Sequence, residues 1–407
     1  MPSFDIEKVR RDFPILARQV RERPLVYLDS AASALKPNQV IDRITSYYRN
    51  ETSNVHRGAH YLSEQGTIAY EDAREAVRGF IGAESAAEIV FTRGTTESIN
   101  LVAQAYGRKF FSAGDEIILS EMEHHSNIVP WQMIAEEKGC KIKVIPVDDA
   151  GDLDFDQFTK LLSPRTKMVA ITWCSNVLGT VNDVKKFTEA AHRVGAKVLI
   201  DGAQGVSQFP TDVRAIGCDF FAFSGHKVFG PYGIGALYGK AELLEAMPPY
   251  QGGGSMIGEV TWEKTTWAAV PHKFEAGTPE ISGAVGLAAA LRYTLSLGWD
   301  GIIRHEHELL EYASKKLNGI SGLRVIGEAK QKAAILSFVM EGAHASDVGA
   351  LVDQQGIAIR AGHHCCQPLM RRYGISGTAR ASFSIYNTKS EVDALSASLM
   401  KAKEIFS

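Results

Sequence analysis

The chain has 407 residues, 45% of them hydrophobic and 22% charged, with a formal net charge of −3. This is the balance of a soluble, enzyme-sized protein of two or three domains, and it excludes a disordered or fibrous chain. Neither ARQVRERP nor MRRYG amounts to a basic stripe, which excludes nucleic acid as a partner, and no run approaches the ~20 apolar residues of a membrane span.

The opening stretch, MPSFDIEKVRRDFP, is charged through its first turn and lacks the apolar centre of a signal peptide, so a cytoplasmic setting is expected. Residues 1–20 read as an N-terminal segment packing on a C-terminal domain. Between residues 88 and 239 the runs EIVFT, EIILS, KIKVIPV, MVAITW, KVLIDG, FFAFSG and GALYG predict seven strands. Stretches such as ESINLVAQAYGRKFF and VKKFTEAAHRVG between them carry the 3.6-residue spacing of covering helices. The link HKVFGPYGI is too short and too rich in Gly and Pro for a crossover, so the last two strands should be antiparallel neighbours in a mixed, mostly parallel sheet. QGGGSM at 251–256 reads as a mobile loop. From about 285 one long helical stretch is expected, then strands AAILSFVM, IAIRAG and ARASFSIY with the helix DVGALVDQQ among them, and a closing amphipathic helix. The expected division is a large domain over 21–293 and a smaller C-terminal α/β domain over 294–407.

Lys227 in SGHKVFGP follows directly on an apolar strand. A partly desolvated lysine at a sheet edge can hold a carbonyl compound as a Schiff base, and pyridoxal 5′-phosphate (PLP) is the commonest cofactor bound that way. That cofactor needs further partners, and each has a candidate. Asp201, ending KVLIDGAQ, suits the ring nitrogen, and Gln204 suits the ring hydroxyl. Thr95 and Thr96 in EIVFTRGTTESIN stand at a helix N-terminus that favours a phosphate, with Ser224 and His226 beside Lys227 as further phosphate ligands. One of His124 and His125 in SEMEHHSN would stack on the ring and move protons, and the other would be structural.

Five cysteines, at 140, 174, 218, 365 and 366, are odd in number and scattered, which argues against a disulfide framework and for a reducing compartment. Two of them close the run RAGHHCCQPLM. Zinc does not suit HHCC, because tetrahedral sites space their ligands so that the chain can fold around the ion, and no metal site is expected.

GTTESINLVA, EMEHHSNIVPW, SNVLGT, DGAQ, SGHK, FEAGTP and RAGHHC, in this order and spacing, resemble the PLP-dependent cysteine desulfurases, most closely the SufS-type (group II) branch that includes selenocysteine lyases. The resemblance runs from YLDSAAS near the start to ARASFSIYNT near the end. It implies the class-V aminotransferase-like fold type I of PLP-dependent transferases and an enzyme converting L-cysteine to L-alanine. Lys227 would carry the cofactor and move the substrate Cα proton, and Cys365 would receive the sulfur as a persulfide. His124, Asp201 and Gln204 would hold the ring, and Thr96, Ser224 and His226 the phosphate. Arg380 would clamp the substrate carboxylate, with Asn176 and Arg360 near the substrate. Gly277 and Thr278 would reach the phosphate of a second subunit, making a homodimer. The sulfur would pass to an acceptor of the SufE or SufU type for iron–sulfur cluster assembly. Selenocysteine lyase and cysteine sulfinate desulfinase are the alternatives on the same fold, and a non-catalytic metal- or redox-sensing protein is the alternative of another class. His363 and His364 could assist the thiolate or only pack the loop. Cys366 departs from the alanine common at its position. If the segment is extended its side chain faces away from Cys365, as a buried small hydrophobe or as a second persulfide acceptor.

Overall fold

β-Branched and aromatic runs with no interior proline become strands here, and glycines or capping side chains mark where they stop. A computed structural model describes residues 4–406; positions 1–3 and 407, the outer ends of the expected N-terminal segment and C-terminal domain, lie outside the described residues. Near the start, β1 (Gln19–Val20) pairs with β2 (Arg23–Pro24), and β3 (Val26–Tyr27) follows. The seven expected runs are β4 (Ile89–Thr92), β5 (Glu116–Ser120), β6 (Lys141–Ile145), β7 (Thr166–Thr172), β8 (Lys197–Asp201), β9 (Phe220–Ser224) and β10 (Gly235–Gly239). They form one sheet in the order β4-β10-β9-β8-β7-β5-β6. β10 runs antiparallel to β9 and to β4, and the other pairings are parallel.

Successive residues of these strands feed opposite cores, as the two-residue period of a strand requires. Ile89, Phe91, Val198 and Ile200 join Tyr70 and Val77 of the helix Tyr61–Ile81 and Leu287 and Leu291 of the helix Ile281–Leu297. Val90 and Leu199 join Trp131 and Ile134 on the other face. A sheet covered on both faces explains why β4, β5, β9 and β10 are buried at every position.

After the exposed hairpin β11 (Ile257–Val260) and β12 (Thr265–Trp267), the expected single helical stretch is two helices. Gly298, at φ 77°, ends Ile281–Leu297, and Trp299–Asn318 leaves at 81° to it. The first helix packs on the large sheet, while Leu309, Ala313 and Leu317 of the second pack on a smaller one. The apolar contacts pass from the large core to the small one along this second helix, whose first residue, Trp299, still packs against Phe80 of the large core. The small sheet is antiparallel, with β13 (Leu323–Ile326), β14 (Ile335–Met340), β17 (Thr378–Ser382) and β16 (Arg360–Gly362) side by side. β13 was not among the expected strands, and IAIRAG is not one strand: β15 (Ile357–Ala358) pairs parallel with β3, and only β16 joins the small sheet. No single helix among the described residues is long and apolar enough to cross a membrane.

Candidate active site

Parallel strands release their side chains at their C-terminal edge, where the crevice of an open α/β sheet forms. Thr172, Asp201 and Ser224 end β7, β8 and β9 on that edge. A cavity of about 300 Å³ opens there. It brings together Thr95, Thr96, His124, Asn176, Asp201, Gln204, Ser224, His226, Lys227, Arg360, Cys365 and Arg380. Gly277 and Thr278 do not line it; Thr278 lines a neighbouring cavity of about 410 Å³ with Tyr70, Phe91 and Glu275.

Lys227 closes the single 3₁₀ turn Gly225–Lys227 that follows β9. Burial lowers its affinity for a proton, and burial raises that of Asp201, although each charge favours the other. For both groups desolvation outweighs the mutual attraction, so each is shifted toward its neutral form. Asp201 Oδ1 accepts the Ala203 N–H at 2.9 Å, and Gln204 Nε2 donates to the Ala31 carbonyl at 2.6 Å.

At the helix Thr95–Leu101, the Thr95 N–H donates to Ser224 Oγ at 2.9 Å and the two hydroxyls lie 2.8 Å apart. Gly94 has φ 144°, and a Cβ on it would lie 2.9 Å from Ser224 Oγ, so both the conformation and the close approach require glycine. His226 stacks on Tyr232 at 5.6 Å, its Nδ1 is buried without a partner, and burial pulls its pKa down to about 4.

The two adjacent histidines separate by role. His124 lines the cavity, and its Nδ1 accepts the Ser126 N–H at 3.1 Å, which leaves the hydrogen on Nε2. Burial first, then Lys227, pulls its pKa down to about 3, so the ring is neutral. His125 instead holds the cysteine loop: its N–H donates to the Cys365 carbonyl at 2.7 Å and its Nε2 accepts the Gln367 N–H at 3.1 Å.

That loop is not extended. His364 and Cys365 adopt left-handed backbone at φ 51° and 57°, and a helix begins at Gln367. The turn leaves Cys365 exposed and buries Cys366 beside Met122, Val177 and Leu369. Cys366 Sγ donates to Asn176 Oδ1 at 3.1 Å, and burial pushes its thiol up. Asn176 Nδ2 also donates to the His364 carbonyl at 2.9 Å, so one amide pins the loop on both sides of Cys365. His364 cannot supply a cation to the thiolate: its Nε2 meets Thr378 Oγ1 at 2.8 Å, and burial pulls its pKa down to about 3. His363 Nδ1 accepts the Cys365 N–H at 3.0 Å.

Two acids here escaped sequence reasoning. Asp29 accepts from Arg360 Nη2 at 2.7 Å and from Arg380 Nη2 at 3.2 Å, fixing both guanidinium groups. Arg380 Nη1 donates to the Asn176 carbonyl at 2.8 Å, which leaves its buried Nε without a partner. Glu123 is fully buried below His124, accepting the Thr172 N–H at 3.0 Å and Asn127 Nδ2 at 2.7 Å, and burial pushes its pKa up to about 8. YLDSAAS and EMEHH carry these acids, but only the folded chain shows what they face.

The aminotransferase class-V family matches residues 26–395. The chain is 54% identical over 399 residues to a cysteine desulfurase of Synechococcus elongatus, a match covering 98% of this chain and 64% of that relative. It therefore spans less than two thirds of that relative's length. With a cysteine desulfurase of Pectobacterium atrosepticum it is 52% identical over 400 residues, 98% of each chain. Among solved structures, the cysteine desulfurase CsdA of Escherichia coli, in its S-sulfonic acid form, superposes with a TM-score of 0.93 at 43% identity over 100% of both chains.

Proposed function

The chain belongs to the aminotransferase class-V family, in its cysteine desulfurase branch, and from that premise we propose that it is a PLP-dependent cysteine desulfurase acting on L-cysteine. One observation carries the reading: Cys365 presents an exposed thiol at the rim of a cavity that also holds Lys227 and Asp201.

The residues present suit the cofactor. His226 Nδ1 and Arg380 Nε are buried polar atoms that lack a protein partner, as donors awaiting an anion would be. Gly94 keeps the backbone beside Ser224 free of a Cβ where a phosphate would approach. Lys227 would hold the cofactor aldehyde, Asp201 the ring nitrogen, Gln204 the ring oxygen and His124 the ring face. Thr95, Thr96, Ser224 and His226 would hold the phosphate, and Asn176 would stand beside the ring oxygen and the substrate. When bound, PLP supplies an electron sink conjugated to the substrate Cα.

Arg380, with Arg360 beside it, would take the substrate carboxylate, the planar guanidinium being a suitable fork. Lys227, whose affinity for a proton burial lowers, would take the Cα proton. The Cys365 thiolate would then form an S–S bond to the substrate sulfur as the Cβ–S bond breaks. That bonding pair stays on carbon, and the proton given up by the thiol ends there. L-Cysteine and enzyme thiol thus become L-alanine and enzyme persulfide. His124, neutral with hydrogen on Nε2, is suited to donating at the sulfur or to the carbon as the bond changes.

The same reading divides the chain into an N-terminal segment at 1–20, a cofactor domain over 21–293 and a small domain over 294–407 that carries the cysteine loop. It makes the working unit a cytoplasmic homodimer, in which Gly277 and Thr278 reach across to the partner's phosphate, and it sends the sulfur to an acceptor of the SufE or SufU type for iron–sulfur cluster assembly. The deciding experiment quantifies alanine and enzyme-bound sulfane sulfur from L-cysteine in wild type and Cys365→Ala. The expected result is a yellow protein in both cases and alanine only in the first. Undiminished alanine formation by Cys365→Ala would remove the thiol from the mechanism.

A further inference from the structure

Three side chains distant in sequence meet outside the catalytic cavity: His56 from the loop after Thr52, Glu71 from the helix Tyr61–Ile81, and His272 from the turn His272–Phe274. One candidate ligand atom from each lies within 4.8 Å of the other two, and none of the three lines the cavity that holds Lys227. We propose that they form a binding site for a first-row divalent cation of zinc type, clipping two loops to one helix.

Two imidazoles and one carboxylate are a donor set that zinc takes, with a fourth position left to water. The pair His56 Nε2 and Glu71 Oε1 is already 2.9 Å apart. Zinc bonds of ~2.0–2.1 Å set tetrahedral ligand atoms about 3.3 Å from each other. The three atoms lie within 4.8 Å of one another, so closing the triangle takes a shift of at most about 1.5 Å. On binding, His56 takes the tautomer with hydrogen on Nδ1 and gives the Nε2 lone pair to the metal, so its hydrogen bond to Glu71 is exchanged for two metal bonds.

The surroundings orient the ligands as supporting residues of metal sites do. Arg74 Nε donates to Glu71 Oε2 at 2.9 Å, leaving Oε1, which Arg74 Nη2 reaches only at 3.4 Å, as the oxygen that faces His56. The Arg74 charge is matched by Glu275, which accepts from its Nη1 at 2.6 Å and its Nη2 at 2.9 Å. With both imidazoles neutral, Glu71, Glu275 and Arg74 leave one net negative charge to attract a dication. His272 Nδ1 lies 4.0 Å from Glu275 Oε2. His56 is fixed by its N–H on Thr67 Oγ1 at 2.8 Å and by its ring against Tyr70 and His272, at 5.7 and 5.1 Å.

The test titrates ZnCl₂ into the cofactor-loaded full chain carrying Cys365→Ser, which removes the exposed thiol as a competing ligand, and follows heat and melting temperature. Saturable uptake of one zinc per chain with a raised melting midpoint is expected. His272→Gln or His56→Gln should weaken uptake at least ~10-fold and abolish the rise. Glu71→Gln, which keeps the shape of the side chain, should do the same and serves if a histidine variant loses its cooperative melt. No saturable uptake, or equal uptake by parent and variants, would overturn the site.

Discussion

At the scale of single residues, the neighbouring thiols Cys365 and Cys366 differ because the backbone turns between them. Cys365 is exposed, whereas Cys366 is buried, bonded to Asn176 and pushed up by desolvation. A thiol held protonated is a poor nucleophile, so neither an attacking nor a resolving role is expected of Cys366. Brief iodoacetamide treatment of the native protein, followed by peptide mass spectrometry, should label Cys365 and leave Cys366 unmodified until denaturant is added. Cys366→Ala should keep alanine production within about twofold of wild type and cost ~1 kcal/mol of stability, the usual range for a small buried truncation. Early labelling of Cys366, or a large loss of turnover in Cys366→Ala, would contradict the geometry. Residue types with a chemical demand to meet, such as Lys227 and Asp201, were legible in the sequence. Asp29 was not, because nothing local says that a carboxylate after a two-residue strand will meet two arginines from 331 and 351 positions away.

At the scale of elements, the segment after β5 shows how a buried acid can support a loop. Glu123 ties β5 to β7 through the Thr172 N–H and holds Asn127, whose Oδ1 accepts from Trp131 Nε1 at 3.0 Å. Its pKa of about 8 lies above the ~4.3 of an unfolded glutamate, so the folded state binds this proton more tightly. Its contribution to stability is fully present below pH ~4.3 and is lost as pH rises through about 8. Glu123→Gln removes that dependence while keeping the shape. Urea unfolding at pH 6 and pH 8.5 should show the variant gaining about 2 kcal/mol on wild type between the two. Parallel curves would mean that Glu123 is already ionised. Strands of the large sheet were legible because seven apolar runs bounded by turn residues leave few alternatives. The left-handed turn at His364 and Cys365 was not, since neither residue type announces a positive φ and the loop is held by His125 and Asn176 from elsewhere. The break at Gly298 was hidden by apolar spacing that continues through it, although one helix faces the large core and the next the small.

At the scale of the whole molecule, the site exists only where the two cores are held together, because Lys227 follows β9 of the large sheet and Arg380 stands in β17 of the small one. The N-terminal segment supplies part of that joint. Phe13, 1% exposed, sets its ring 4.7 Å from Tyr386, which follows β17, and 6.0 Å from both Phe229, two residues after Lys227, and Tyr293 of the helix that ends at Leu297. Tyr386 in turn bonds Ser30 Oγ at 2.7 Å, beside the Ala31 that accepts from Gln204. Truncating a buried aromatic leaves a cavity its neighbours fill only in part, so Phe13→Ala should cost about 3–5 kcal/mol. In a chain of this size that lowers the melting midpoint by roughly 4–6 °C. If the ring joins the two bodies rather than one of them, the loss should also uncouple them, and calorimetry should resolve one transition into two. Phe13→Leu, which refills most of the volume, should restore a single transition. A Phe13→Ala chain that melts in one step at the wild-type temperature would mean that the segment rests on the surface, and that the arginine pair on Asp29 holds the two halves of the site without it.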